Sequence, residues 1–162
     1  MGGALPERDS GTRHAAFGWL LTVCGIIGLL TGGVVLVFIL NRIVTGRPLA
    51  PGLDIVEHGI EGMRLSPEWA ALSSALGAYL GAMLVLAGAG WRKGRPWASL
   101  ATWGYVSCGL IVNLTDLIIF VFAAAPGPMR TLMLVLDGSA LLLVLFVGAW
   151  LLRRAALNRH GC

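Results

Sequence analysis

The chain has 162 residues, 57% hydrophobic and 12% charged, with a formal net charge of +4, and its mean hydropathy is +0.81. Soluble domains carry about 25% charged residues and disordered chains are polar and charge-rich, so both classes are excluded. What remains is an all-α polytopic membrane protein, and at roughly 20 apolar residues per crossing this length holds about four spans in one domain.

Residues 1–14 form a polar N-terminal tail. The first span covers about 15–40 and carries no charge. It is too long for a signal-peptide core and no small-residue cleavage site follows, so it is expected to be retained. Gly28 and Gly32 lie four apart on it, with Gly18, Gly25 and Gly33 close by.

The outer loop, 41–66, is the one long connection. From Asp54 to Met63 its pattern becomes helical: Ile55, Val56, Ile60 and Met63 fall on one side, Asp54, Glu57, His58 and Glu61 on the other. Asp54 with Glu57 three residues on reads as a capping box, which predicts a short amphipathic helix lying on the membrane surface. Glu57, His58 and Glu61 are weak candidates for metal ligands, because a single imidazole among flexible surface acids is thin support. No metal site is expected.

Ser66, Pro67 and Glu68 supply an N-cap, a proline at the first helical position and an early acid, and so start the second span, about 69–91. Ser73, Gly77 and Gly81 step along it by four residues, with Ala70, Ser74, Ala78 and Ala82 beside them. Helices in lipid associate by close packing at small residues, so the first two spans are expected to touch closely through Gly28, Gly32, Ser73, Gly77 and Gly81. The same faces could instead dock a partner subunit or a second copy.

The third span covers about 96–125 and the fourth about 129–152, joined at Pro126-Gly127-Pro128, with a tail at 153–162. Such short links make neighbouring spans antiparallel. The fourth is leucine-rich and is expected to face lipid over much of its surface. Arg8, Arg13, Arg92, Lys93, Arg95, Arg153, Arg154 and Arg159 fall on one side of the bilayer, against Arg42, Arg47, Arg64 and Arg130 on the other. The positive-inside rule therefore places both termini in the cytoplasm. A basic set that is arginine apart from Lys93, with abundant Ala and Gly, suggests a GC-rich bacterial genome and hence a bacterial inner membrane. The basic residues are short scattered clusters that read as topology signals, so no nucleic acid partner is expected.

Two acids lie inside spans. Asp116 stands eleven residues before Gly127 and Asp137 ten after it, which puts both roughly 14 Å below the outer loop at about 1.5 Å per helical residue. Asn113 sits one turn before Asp116, and Gly109 and Tyr105 continue that face. A charged Asp near the bilayer centre costs at least about 2.5–3.5 kcal/mol, and such residues mark proton relays and ion paths. Two carboxyls sharing a low-dielectric site cannot easily both ionise. Asp116 and Asp137, with Asn113 as a coordinating neighbour, are therefore the candidate site for proton or cation coupling; the alternative is that each is protonated or bonded to Asn113, Thr115, Tyr105 or a partner helix. Side chains on a helix lean toward its N-terminus, so Arg130 should reach outward, away from Asp137. With no histidine inside a span, a bis-histidine haem has no ligands, and no cofactor is expected.

Asn113-Leu114-Thr115-Asp116 is similar to the Asn and Asp of the GNxxDR box of lipoprotein signal peptidases, and Leu136-Asp137-Gly138-Ser139 loosely resembles their Asn-x-Ala-Asp-Ser segment. The resemblance covers roughly a quarter of the chain and implies an intramembrane aspartyl peptidase with Asp116 and Asp137 as catalytic dyad. Leu117 replaces the Arg, Leu134 the second Asn and Leu136 the Ala, and the first loop lacks an Asn-x-Gly-Ala motif.

No motif names a reaction. The leading expectation is a non-enzymatic small subunit of a larger membrane complex, or a homo-oligomer. Behind it stand a proton- or cation-coupled carrier and the peptidase.

Overall fold

The computed structural model describes residues 8–46, 62 and 64–159. Among them the chain is all-helical, with α1 at Arg8–Thr45, α2 at Pro67–Arg92, α3 at Trp97–Phe122 and α4 at Pro128–Arg159. Each helix contains a segment long and apolar enough to cross a membrane: His14–Thr45, Pro67–Arg92, Trp97–Phe122 and Pro128–Ala156. Glu57, His58 and Glu61, and with them the expected surface helix, lie outside the described residues.

Local chemistry sets the helix ends. α1 runs beyond the expected end near residue 40 and stops at Gly46. There a positive φ of 65° lets the Gly46 N–H donate to the Arg42 carbonyl at 2.9 Å. This is a left-handed cap, which glycine adopts without a Cβ clash. α2 begins as its sequence predicts: Ser66 is the N-cap, Pro67 opens the helix, and the Trp69 N–H donates to Ser66 Oγ at 3.2 Å. It ends in a Schellman motif around Gly94, φ 61°, where the Arg95 N–H donates to the Gly90 carbonyl (2.9 Å) and the Gly94 N–H to the Trp91 carbonyl (3.2 Å). α3 stops at Phe122, short of residue 125, and Pro128 opens α4.

α1 and α2 pack backbone against backbone. A Cβ added to Gly18 would lie 2.7 Å from the Gly88 carbonyl oxygen, one on Gly25 would lie 2.7 Å from the Gly81 carbonyl oxygen, and one on Gly32 would lie 2.6 Å from the Ala78 nitrogen. All three are inside the 3.0 Å that real Cβ atoms keep. The contacts climb α1 while they descend α2. Gly18, Gly25 and Gly32 recur every seventh residue, a spacing that keeps one seam facing its neighbour. α3 and α4 pack through side chains instead, Val144 against Gly109 and Val106 against Gly148.

The core is concentrated toward the end that carries the Arg92–Arg95 link. Phe17 stacks on Trp150 at 3.7 Å between ring centroids, and Trp91 meets Trp150 edge-on at 5.3 Å, so α1, α2 and α4 converge there. α3 joins them through Thr102, whose Oγ1 accepts from Trp91 Nε1 at 2.9 Å and donates to the Ala98 carbonyl at 2.6 Å. Leu21, Val144, Val147 and Thr102 are fully buried in this region. Elsewhere the apolar surface points outward. Between 11% and 28% of each helix's most apolar window is buried within the chain, so most of that surface needs an apolar surrounding. On α4, Leu132, Leu136, Leu142 and Leu145 are exposed.

Candidate functional site: the acid pair of α3 and α4

The buried face of α3 is Thr102, Tyr105, Gly109, Asn113, Asp116 and Phe120. Steps of three and four residues put them on one side of a 3.6-residue helix. Asn113 and Asp116 thus share the inward face with Gly109 and Tyr105. Gly109 leaves room for α4 to approach, because a Cβ there would lie 2.9 Å from Val144 Cγ2.

Asp116 is 5% exposed. Its Oδ2 accepts a hydrogen bond from Ser73 Oγ on α2 at 2.7 Å. Asn113 donates through Nδ2 to the Gly109 carbonyl at 2.6 Å, which leaves its side-chain oxygen uncommitted by that bond. Thr115 turns away and donates to the Ile111 carbonyl. Asp137, on α4, is half-buried and lies near enough to Asp116 for the two carboxyls to interact electrostatically. Its Oδ2 is enclosed and receives no hydrogen bond. Buried carboxylate oxygens normally have a donor, and this one has none among the described residues.

Arg130 does not neutralise the pair. Its Nη2 donates to the Val121 carbonyl at 2.7 Å, near the C-terminus of α3, where a cation also meets the negative end of the helix dipole. It ties the start of α4 to the end of α3, in the outward direction expected of its side chain. Two acids, one hydroxyl donor and one amide in an apolar layer can bind and release a proton or a small cation.

The glycines are distributed in a way the four-residue steps did not foreshadow. Gly32 and Gly81 lie in the α1–α2 seam. A Cβ on Gly28 would make an ordinary 3.6 Å contact with Gly81 Cα, and one on Gly77 would meet nothing within 4 Å. Ser73 faces Asp116, away from the seam. On α2 the seam follows Ser74, Ala78, Gly81, Val85 and Gly88. Ser73 as donor to Asp116 was not legible beforehand, because a serine on a small-residue face carries no sign of a partner 43 positions away. Among the described residues no group of three or more His, Cys, Asp or Glu side chains is placed to hold a metal.

No protein-family model matches the chain, and neither a curated protein nor a solved structure matches it.

Proposed function

We propose that the chain is a bacterial inner-membrane protein of four antiparallel spans, α1 to α4, whose Asp116–Asp137 pair takes up and releases a proton or small cation in a coupled transport step. The observation that carries this reading is the enclosed, unbonded Oδ2 of Asp137 beside the carboxyl of Asp116. A purely structural acid would be expected to have its lone pairs satisfied, and acids within spans are functional by default. Ser73 holds one carboxyl while the other stays open, and Asn113 lies one turn away. The antiparallel order is supported by contacts that rise along α1 as they fall along α2. Cytoplasmic termini are supported by the excess of basic residues at that end.

The test is flux. Purified protein in liposomes, with a potential imposed and the interior followed by pH- or Na⁺-sensitive dye, should pass protons or sodium. Asp116→Asn and Asp137→Asn should each abolish that flux. Flux unchanged in the double variant, or no flux of either ion from the wild type, overturns the reading.

A second reading, a small subunit or homo-oligomer, is favoured by Gly33, Gly77 and Gly138, where an added Cβ would meet nothing. Packing within the chain does not require glycine there, whereas a docked helix would. Under this reading Gly33→Leu and Gly77→Leu reduce the particle mass measured in nanodiscs. A wild type of monomeric mass removes the homo-oligomer.

A further inference from the structure

A cavity of about 430 Å³ opens at the basic end, between α1, the α2–α3 link and the end of α4. That volume lies within the roughly 300–1,000 Å³ typical of small-ligand sites. Its wall includes His14, Trp91, Arg95, Ser99, Trp103 and Arg154, and among the described residues no Asp or Glu lines it. It is therefore a cationic hollow with aromatic sides, well away from the acid pair.

Arg154 is the informative residue. Its guanidinium lies 4.4 Å over the ring of Trp91 and 5.7 Å from that of Trp150. Its Nη1 is enclosed and has no hydrogen-bond partner. Ring faces hold this cation in place, but a ring face does not accept its N–H bonds as an oxyanion would. The guanidinium is thus positioned in advance, and among the described residues no carboxylate in the cavity wall offsets its charge. Arg95 adds a second cation and Ser99 a hydroxyl donor.

We propose that this cavity binds a phosphate group, supplied either by the headgroup of an anionic phospholipid or by a free phosphate ester. Planar guanidinium donors match tetrahedral oxyanions. Basic pockets between membrane helices suit anionic headgroups, whose acyl chains can run along the outward apolar surface. Trp103, exposed at the wall, gives the rim the amphipathic character such a headgroup meets at the interface.

The site rests on the membrane placement proposed above but not on the acid pair, so Asp116→Asn and Asp137→Asn should leave it intact. The full chain in neutral detergent is titrated with phosphatidylglycerol, phosphatidylcholine or inorganic phosphate. Thermal stability and bound lipid by native mass spectrometry are followed. Phosphatidylglycerol should stabilise and remain bound while phosphatidylcholine does not. A matching shift with inorganic phosphate assigns the site to free phosphate compounds, and its absence assigns it to lipid. Arg154→Gln should weaken binding about tenfold, the cost of one charged hydrogen-bonding partner. Arg95→Gln and Ser99→Ala, on the link and the first turn of α3, provide the same test should Arg154→Gln fail to fold. Arg153→Gln, which removes the same charge from an exposed side chain outside the wall, should bind like the wild type. The proposal is overturned if neither ligand shifts stability, or if Arg153→Gln weakens binding as much as the cavity variants.

Discussion

The α1–α2 pair and the α3–α4 pair are built from equally apolar helices yet cohere by different means. In the first, glycines bring main chains into contact, with Gly25 set directly against Gly81. In the second, side chains intervene, and Asp137 on α4 interacts electrostatically with Asp116 on α3. Lipid supplies no hydrophobic force between helices, so a span must gain its cohesion from dense packing or polar contact. The α1–α2 seam uses dense packing and has no slack. The α3–α4 interface carries polar groups and leaves Asp137 Oδ2 unsatisfied. One pair is thus held by main-chain contact and the other by side chains that include an acid with an unbonded oxygen.

The largest effect should come from breaking the seam. Gly81→Leu forces a side chain against the Leu29 backbone nitrogen and the Gly25 carbonyl, atoms that cannot rotate aside. A loss of about 3 kcal/mol is expected, at the upper end for overpacking, read as a lower unfolding midpoint in detergent. Next is the opposite sign at the chemical pair. Asp137→Leu removes an unbonded buried oxygen and should stabilise the protein by about 2 kcal/mol while abolishing ion flux, a separation of stability from activity typical of functional sites. A destabilised Asp137→Leu would mean that the acid serves the fold. Ser73→Ala deletes the single hydroxyl donor to Asp116 from α2 and should cost about 1 kcal/mol, since polar contacts between spans are modest. The smallest change is expected of Gly77→Ala, where the added methyl meets open space. Stability should stay within about 0.5 kcal/mol of wild type or rise slightly, because alanine is the better helix former. A large loss there would place Gly77 in a contact outside this chain.

Much of the helical framework was legible in the residues. Runs of apolar residues located four helices, and Ser66-Pro67 marked the start of α2 to the residue. Gly46 and Gly94 stop their helices through positive φ. On α1 the apolar run weakens several residues before Gly46, so hydropathy and backbone geometry end that helix in different places. For the acid pair, counting residues from the turn at Pro126–Pro128 led to Asp116 and Asp137 as neighbours, and the two carboxyls interact electrostatically. Helical period was enough to put Asn113 on the face of Asp116.

These features share a cause: each depends on the covalent geometry of a helix or on residues a few positions apart. Rotation of one helix against another does not. Every small residue on an apolar span presents the same signal, so the choice of Gly18, Gly25 and Gly32 over Gly28 and Gly33, and of Ser74 and Ala78 over Ser73 and Gly77, was made only when α1 and α2 came together. The same rotation turned Ser73 toward Asp116. It also gathered His14, Trp91 and Arg154, from three separate helices, around one basic cavity. The sequence by itself determined where the long apolar helices run and where the chain turns between them. The tertiary structure alone decided which side chains meet, because packing energy depends on shape complementarity between distant segments and no local period records it.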